Sequence, residues 1–171
     1  MMNYRFCPLC SHKLVRKSFH DEHQFVCSSC GFVFYQNAKP AVAGFITRGN
    51  KLLLVRRAVK PKIGWWDVPG GFTKENEHPL QALRRELREE LGVNVKVGKL
   101  FSIQMDVYHN GNGPKSWVLN IYYIASIIQG TMKPDDDISE ARWFPIHKLP
   151  KHLGFKHIKK AVRDWKKLKK K

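Results

Sequence analysis

Residues 71–93 read GFTKENEHPLQALRRELREELGV, and this stretch predicts an amphipathic helix bounded by turn residues. Pro79 suits the first turn of a helix, where its missing N–H group costs no hydrogen bond, and Gly92 suits the position just past the last turn. Between them, leucines recur at steps of three and four residues, on one helical face: Leu80, Leu83, Leu87 and Leu91. We therefore expect a helix that packs this apolar stripe against a core.

Three glutamates share a neighbouring face of the same helix. Glu86, Glu89 and Glu90 are spaced i, i+3 and i+4, so their charges repel, and near the carboxyl end they also oppose the helix dipole. One interpretation is a solvated surface with ion pairs to Arg85 and Arg88. The glycine-rich turn before the helix favours another, in which a divalent cation relieves the repulsion. Carboxylate oxygens beside a phosphate-bearing substrate suit Mg²⁺.

The same segment resembles the Nudix box, written G-x5-E-x7-R-E-U-x-E-E-x-G-U, where U is aliphatic. The sequence supplies every specified position, in the order Gly71, Glu77, Arg85, Glu86, Leu87, Glu89, Glu90, Gly92 and Val93. A match this long argues against chance, unlike a lone glycine motif. The resemblance extends into GWWDVPGGF before the box and DDDISEARWFPIHKL after it.

The resemblance implies a hydrolase of nucleoside diphosphates linked to another group, and it assigns roles to residues. Binding of Mg²⁺ (or Mn²⁺) falls to one backbone carbonyl and three carboxylates: Gly70, Glu86, Glu89 and Glu90. Glu86 and Glu89 are also catalytic candidates, with Glu86 our first choice to deprotonate the attacking water. Arg85 orients a glutamate, Glu77 holds Arg85, and Gly71 lets the loop bend sharply against the helix beside the substrate.

A further catalytic acid is expected, by the same resemblance, in the loop before a Trp-Phe pair. Asp137 lies six residues before Trp143 and fits that position. Three other acids compete with it: Asp135, Asp136 and Glu140. An acidic surface turn without a catalytic role is the alternative interpretation.

Substrate contacts are expected from residues around the box. Trp66 and Tyr108 are candidates to stack on a base, although most aromatic residues in such a domain belong to its core. Arg56 and Arg57 end a predicted strand near the expected site, and we assign a phosphate contact to Arg57. A solvent-exposed arginine pair is the alternative.

The four cysteines fall in two pairs, CPLC and CSSC, separated by 16 residues: Cys7, Cys10, Cys27 and Cys30. Two such turns point four sulfurs at one ion, which predicts a tetrahedral zinc site. Gly31 follows the second pair, where a residue tolerant of positive φ suits the turn. Unrelated buried thiols, a redox pair and substitute ligands from His12, His20 or His23 are the alternatives. Contact with nucleic acid, a homodimer contact and cover for the next domain stay open as roles for this segment.

Together these patterns resemble a zinc-ribbon Nudix hydrolase over almost the whole chain. The implied fold is α/β: an α/β/α sandwich around a mixed β-sheet, preceded by a small β zinc ribbon. We expect the ribbon over residues 1–36 and the Nudix domain over residues 37–171, ending in a basic helix and tail. The segments AVAGFI and KLLLVRRA predict two strands of the sheet.

Charge and composition indicate the partners. The 171 residues include 31 Lys and Arg against 14 Asp and Glu, a formal charge of +17, while 43% apolar residues argue against global disorder. Such a charge attracts polyanions: nucleotides, RNA or anionic membrane surfaces. The sequence has neither a secretory signal nor an apolar run long enough to span a bilayer, so we expect a cytoplasmic protein.

The carboxyl-terminal segment carries much of this charge. Residues 156–171 hold nine lysines and arginines against one acid, Asp164. An apolar stripe runs through the segment at helical spacing: Phe155, Ile158, Val162, Trp165 and Leu168. We favour a terminal helix that packs on the domain and ends in a basic tail, with an RNA- or membrane-contacting helix as the alternative.

Three functions are compatible with the sequence. The first is a Mg²⁺-dependent pyrophosphohydrolase of an ADP-ribose-, FAD- or NAD-like dinucleotide. By resemblance, the SQPWPxPxS array of NADH-cleaving relatives is absent, and Tyr108 stands where ADP-ribose hydrolases usually have proline. The second is an RNA 5′-end hydrolase that removes a cap or a pyrophosphate. The third is a non-catalytic nucleotide- or RNA-binding adaptor, which would be free to lose the glutamates.

Overall fold

The computed structural model describes residues 4–19, 22–109 and 115–169. The amino-terminal part is a three-stranded antiparallel sheet in the order β1 (Leu14–Phe19), β2 (Glu22–Cys27) and β3 (Val33–Phe34). Its small buried cluster consists of Cys7, Leu14 and Cys27. A core this small contributes little folding energy by itself.

A second sheet of seven strands forms the centre of the remaining chain. Its strands are β4 (Lys39–Arg48), β5 (Lys51–Arg57), β6 (Trp66–Asp67), β7 (Gly70–Phe72), β8 (Asn94–Tyr108), β9 (Ser116–Gln129) and β10 (Ile138–Pro145). Along the main path the order is β10-β5-β4-β9-β8, while β6 pairs with β5 and β7 pairs with β4. Strands β4 and β9 run parallel and the other pairs are antiparallel, which confirms the expected mixed sheet.

Two helices cover opposite faces of this sheet, so the α/β/α sandwich is confirmed. Helix α1 (Pro79–Leu91) packs on one face and α2 (Lys156–Leu168) on the other. Side chains alternate along β5 accordingly: Leu53 and Val55 face the α1 side, and Leu52 and Leu54 face the α2 side. All four are at most 1% exposed, which explains the continuous apolar run in KLLLVRRA.

The ends of α1 follow the sequence signals. Pro79 opens the helix, and Gly92 ends it in the left-handed region at φ 68°. The cap residue His78, which the sequence reading did not single out, accepts the Leu80 N–H through Nδ1 at 3.2 Å. Of the predicted leucine stripe, Leu83, Leu87 and Leu91 are fully buried, and Leu80 is partly buried.

Helix α2 buries most of its predicted stripe, and its lysines are exposed. Ile158, Val162 and Trp165 lie in the core, and Asp164 accepts hydrogen bonds from Ser102 and Gln104 of β8, both at 2.7 Å. Lys170 and Lys171 of the predicted tail lie outside the described residues. Within the described residues, no helix has both the length and the apolar character needed to cross a bilayer. The domain division between residues 36 and 37 stays a prediction.

Candidate active site

The glutamates of α1 are organised around one arginine. Arg85 binds Glu77 with two parallel hydrogen bonds, from Nε at 2.7 Å and from Nη2 at 2.8 Å. Its Nη1 donates to Glu86 at 2.6 Å and to Glu89 at 2.8 Å. The structure therefore brings together four of the residues selected from the sequence, with Arg85 as the shared cation.

Glu77 is fixed from two sides. Besides the bidentate contact with Arg85, its Oε2 accepts the N–H of Lys74 at 2.9 Å. These hydrogen bonds, that of Arg85 first, lower the pKa of Glu77 to about 2. An ionised Glu77 can hold the Arg85 guanidinium in one orientation throughout the neutral pH range.

Two glycines of β7 allow the loop to approach these carboxylates. Gly70 has φ 139°, and a Cβ there would lie 2.2 Å from the carbonyl oxygen of Val42. A Cβ on Gly71 would lie 2.6 Å from Oε2 of Glu86. A side chain at Gly70 would therefore clash with the backbone of β4, and a side chain at Gly71 would displace the Glu86 carboxylate.

Glu90 is the most deeply buried acid of the cluster. It is 4% exposed and accepts the N–H of Gly70 at 2.8 Å. Burial raises the pKa of Glu90 well above its ordinary value, and the charge of Asp137 acts in the same direction. A buried carboxylate with other acids around it is stabilised by a nearby cation.

Asp137 faces the same cluster from the loop that precedes β10. Burial raises the pKa of Asp137 itself, and its charge contributes to the raised pKa values of both Glu86 and Glu90. Two of its competitors have other partners: the Asp135 carboxylate accepts the Asp136 N–H, and Glu140 pairs with two arginines of the sheet, Arg56 and Arg142. Among these acids, Asp137 is the one whose charge acts on the glutamates of α1.

A cleft of about 80 Å³ that is open to solvent adjoins the glutamates. Gly70 and Gly71 form part of its wall, so the carboxylates of Glu90 and Glu86 lie directly against this wall. Small apolar residues of β4 and β9 form further parts of the wall, and Phe72 and Tyr108 stand near each other, with ring centroids 5.5 Å apart.

The structure separates the other predicted substrate residues. Tyr108 and Arg57 line the cleft, whereas Trp66 does not belong to its lining and packs its ring on Phe144 at 4.6 Å. Arg57 is mostly buried and already engaged, since Nε donates to the carbonyl of Pro61 at 2.7 Å and Nη1 lies 3.5 Å from Asp67. Arg57 is therefore positioned more as a support of the cleft than as a free phosphate ligand.

Sequence reasoning missed several residues of the cleft. Asp67 is buried, and desolvation raises its pKa to about 6. His157 is buried too. Its ring Nδ1 pairs with the hydroxyl of Tyr122, and its backbone N–H donates to Oδ2 of Asp106 at 3.3 Å. Burial lowers the pKa of His157 to about 4, which favours the neutral ring. The available signal was a polar residue inside an apolar pattern, Asp67 within WWDVPGG and His157 beside Ile158.

The four cysteines form a separate cluster in the amino-terminal sheet. Their sulfurs lie within 4.8 Å of one another, with Sγ separations of 3.6 Å for Cys7–Cys30 and 3.4 Å for Cys10–Cys27. Four thiolates about 2.3 Å from one zinc ion are roughly 3.8 Å apart, close to these separations. The backbone N–H of Cys30 contributes most to lowering the pKa of Cys27, to about 6.

The turns around the cysteines have the same construction. Gly31 adopts φ 76° as predicted, and Ser11 takes the corresponding position after the first pair at φ 60°. His12 contacts the carbonyl of Cys10, and His23 is exposed on β2, so neither joins the sulfur cluster. His20 lies outside the described residues. Among the described residues, the cysteines are the one group of three or more Cys, His, Asp or Glu side chains whose ligand atoms all lie within 4.8 Å of one another; the glutamates of α1 are spaced more widely.

Comparisons with known proteins agree with this fold. A family model described as NUDIX domain matches residues 37–165. An ADP-ribose pyrophosphatase from Methanocaldococcus jannaschii is 35% identical over 131 residues, which cover 77% of this chain and 75% of that one. A crystal structure of a NUDIX hydrolase from Nitrosomonas europaea matches with a TM-score of 0.75 at 24% identity, over 94% of this chain and 91% of that one. The latter likeness concerns the fold.

Proteins named NAD-capped RNA hydrolase NudC are also similar. The one from Vibrio atlanticus is 29% identical over 147 residues, covering 85% of this chain, and the one from Chromobacterium violaceum is 32% identical over 174 residues, covering 95%. The chain spans only 51% and 61% of the lengths of these two relatives.

Proposed function

The chain belongs to the NUDIX family of hydrolases, and from this premise we propose that it uses Mg²⁺ to hydrolyse the diphosphate linkage of a nucleoside diphosphate derivative. An ADP-ribose-, FAD- or NAD-like dinucleotide is the proposed substrate. The observation that carries the proposal is the position of the Arg85-centred glutamates directly against the glycine wall of a cleft that is open to solvent.

The donor set is compatible with a hard dication. Arg85 engages Oε1 of Glu86 and Oε2 of Glu89. Oε2 of Glu86 is left as a metal donor, and Oε1 of Glu89 lies 3.9 Å from Nζ of the exposed Lys74, which a dication would displace. Glu90 lies at the same wall, joined to the N–H of Gly70, whose carbonyl is the fourth proposed ligand. When bound, Mg²⁺ (or Mn²⁺) neutralises phosphate oxygens and acidifies a bound water.

The side chains then have distinct proposed roles. Water adds to phosphorus, the bridging P–O bond breaks, the second phosphate leaves, and Glu86 accepts the water's proton. Because burial raises the pKa of Glu86, its carboxylate is a stronger base than an exposed one. Arg85 holds Glu86 and Glu89 in place, and Asp137 is the proposed additional acid facing the site.

A substrate panel tests this proposal. Zinc-loaded protein is given ADP-ribose, FAD and NADH with and without Mg²⁺, and nucleotide products are separated chromatographically. We expect Mg²⁺-dependent release of AMP from at least one of them, and loss of that activity in Glu89→Gln. If Glu89→Gln equals the wild type on every substrate, the assignment of the site is wrong.

An RNA 5′-end hydrolase is the second candidate, and the position of α2 favours it. This helix begins beside the cleft residue Phe155 and exposes a row of basic side chains: Lys156, Lys159, Lys160, Arg163, Lys166 and Lys167. Such a row would attract the phosphates of an RNA that extends from the cleft. A kcat/KM for an NAD-capped oligonucleotide far above that for NAD, with strong salt dependence, would establish this candidate over the first. No observation favours the third candidate, a non-catalytic nucleotide- or RNA-binding adaptor. Such a protein would be free to lose the glutamates, whereas here the Arg85 network is intact.

The cysteine cluster is proposed as a zinc site that stabilises the amino-terminal sheet. We expect one zinc per chain by atomic absorption, and its loss in Cys27→Ser. Because this sheet buries a very small core, the loss of zinc should unfold it while the sandwich stays folded. If Cys27→Ser bound as much zinc as the wild type, the assignment of the zinc site would be wrong.

A further inference from the structure

The two cysteine pairs lie in two turns with the same backbone, which we call the first knuckle (residues 6–13) and the second knuckle (residues 26–33). In each, the first cysteine donates its backbone N–H at 2.8 Å to the carbonyl oxygen five residues on. Its own carbonyl oxygen accepts the N–H four residues on, at 2.9 Å in the first knuckle and 3.0 Å in the second. The side chains of the two knuckles can therefore be compared position by position.

The first knuckle exposes large apolar side chains that the second knuckle lacks. Phe6 and Leu9, each directly before a cysteine, are 63% and 73% exposed. The second knuckle has the smaller Val26 and the polar Ser29 at the equivalent positions. Because the second knuckle adopts the same backbone without them, the turn itself does not require an exposed ring and an exposed leucine. Neighbouring exposed apolar side chains among polar ones are typical of a contact surface.

The surroundings of the exposed ring are basic. Phe6 pairs with Lys13 in an antiparallel bridge, and Lys17 projects from the same face of β1, since side chains alternate along a strand. Four exposed lysines and arginines lie within residues 4–19 and 22–34, and none forms an ion pair with another described residue: Arg5, Lys13, Arg16 and Lys17. The acid described in this part of the chain, Glu22, accepts a hydrogen bond from Gln24 at 2.8 Å. The charge of this surface therefore suits a polyanion.

We infer that the first knuckle binds single-stranded polynucleotides, with a base stacked on Phe6 and neighbouring phosphates beside Lys13 and Lys17. An exposed aromatic ring between cations suits a single strand, because its unpaired bases offer π-faces and its backbone offers a charge at every residue. An acidic peptide would neutralise the lysines without any need for the ring. This binding function goes beyond the proposed hydrolysis and does not depend on it, since it uses no residue of the cleft.

Fluorescence anisotropy with 5′-hydroxyl oligonucleotides tests this inference apart from hydrolysis, because these probes contain no diphosphate. Labelled oligouridine and oligothymidine of about 12 nucleotides, a duplex of the same length and poly-glutamate are titrated with zinc-loaded full-length protein. Phe6→Val gives the first knuckle the side chain that the second knuckle has at this position. We expect this variant to bind both single strands about tenfold more weakly than the wild type, with less than about twofold change for the duplex and poly-glutamate.

Further variants separate the ring from the charge. Phe6→Tyr, which keeps a ring, should bind the single strands as the wild type does. Lys13→Gln should reduce the slope of log Kd against log salt concentration by about 0.7, whereas Lys51→Gln, an exposed lysine of the other sheet, should leave it unchanged.

The zinc content of each variant checks that the cysteine cluster is intact. Equal Kd values of the wild type and Phe6→Val for both single strands would overturn the inference. An equal loss for poly-glutamate would overturn it too, because the knuckle would then be a site for acidic peptides. Absence of hydrolysis with every dinucleotide would refute the proposed function and leave this binding site in place.

Discussion

The two helices pack on opposite faces of one sheet and differ in the side chains that they place near the cleft. Helix α1 presents charged groups in a shared network, where Arg85 connects Glu77, Glu86 and Glu89. The start of helix α2 places two residues at the cleft: Phe155, which directly precedes the helix, and the buried His157, whose pKa is lowered by burial so that the ring is neutral. The two sides of the sheet therefore offer different chemistry: carboxylates and an arginine on the α1 side, and an aromatic ring beside a neutral imidazole on the α2 side.

The strongest way to break this comparison is to remove the proposed base on α1. Glu86→Gln should reduce kcat by about 10³-fold, within the range typical of a lost general base, while leaving the affinity for α,β-methylene ADP, an uncleavable nucleotide, nearly unchanged. Steady-state kinetics and calorimetry measure the two quantities. The exposed Glu75→Gln serves as a charge-matched control, and equal kcat in both variants would contradict the role of Glu86.

Gly71→Ala tests the same face through geometry. The new Cβ would lie 2.6 Å from the Glu86 carboxylate, which is the movable end of a side chain, so the carboxylate shifts and the fold remains. We expect kcat to fall by about 10²-fold, since a misplacement of about 1 Å has that effect. Gly70→Ala is the contrast: its Cβ would meet the Val42 carbonyl oxygen at 2.2 Å, so the free energy of unfolding should fall instead.

If Gly71→Ala had the same kcat as the wild type, the position of the Glu86 carboxylate would not matter to the reaction. Loss of cooperative unfolding in Gly71→Ala, measured by urea denaturation, would mean that the glycine serves the backbone instead.

On the α2 side, His157 predicts a pH dependence of stability. The unfolded chain binds a proton at this histidine below its ordinary pKa of 6.5, but the folded protein does so only below about 4. The free energy of unfolding therefore decreases as pH falls from 6.5 towards 4, by about 2 kcal/mol between pH 7 and pH 5 from this group. Asp106, Tyr122 and Lys160 are the titratable groups around it.

Urea unfolding of wild type and His157→Gln at pH 7 and pH 5 measures this contribution as a difference. The variant should lose less stability than the wild type between the two pH values. An identical loss in both proteins would show that His157 does not titrate in this window.

The smallest expected effect concerns the attachment of α2 to the edge strand. Asp164→Asn removes the charge that accepts hydrogen bonds from Ser102 and Gln104, and should lower the free energy of unfolding by about 1–2 kcal/mol. Because the α1 network is remote from this contact, kcat should be unchanged. A change in kcat larger than about threefold would show that the two faces are coupled.

The comparison also explains how much the sequence could predict. The helix α1, its proline and glycine ends, the glutamates and the cysteine pairs were predicted, because each pattern is local and its spacing maps directly onto helical or turn geometry. Their arrangement in space agrees with the Nudix resemblance, although the catalytic, metal and substrate roles of the named residues stay predictions. The cytoplasmic location and the homodimer stay predictions as well.

The cleft was predictable only in part. Its residues come from the strands β4 to β9 and from the start of α2, and no local spacing connects Tyr108 with Phe155 or Asp67 with His157. Trp66 illustrates the opposite problem: an aromatic residue near the motif was a reasonable candidate, yet its ring packs on Phe144 in the core. Tertiary packing, which composition does not encode, decided which aromatic residue faces the cleft.

The central claim is that the carboxylates of α1 form a divalent cation site, and metal binding tests it most directly. Zinc-loaded protein without nucleotide is titrated with Mn²⁺, and the free ion is followed by electron paramagnetic resonance. We expect binding to the wild type and to Glu140→Gln, an acid that pairs with Arg56 and Arg142, and at least tenfold weaker binding to the double variant Glu86→Gln/Glu90→Gln. Mn²⁺ bound as tightly by the double variant as by the wild type would contradict the account.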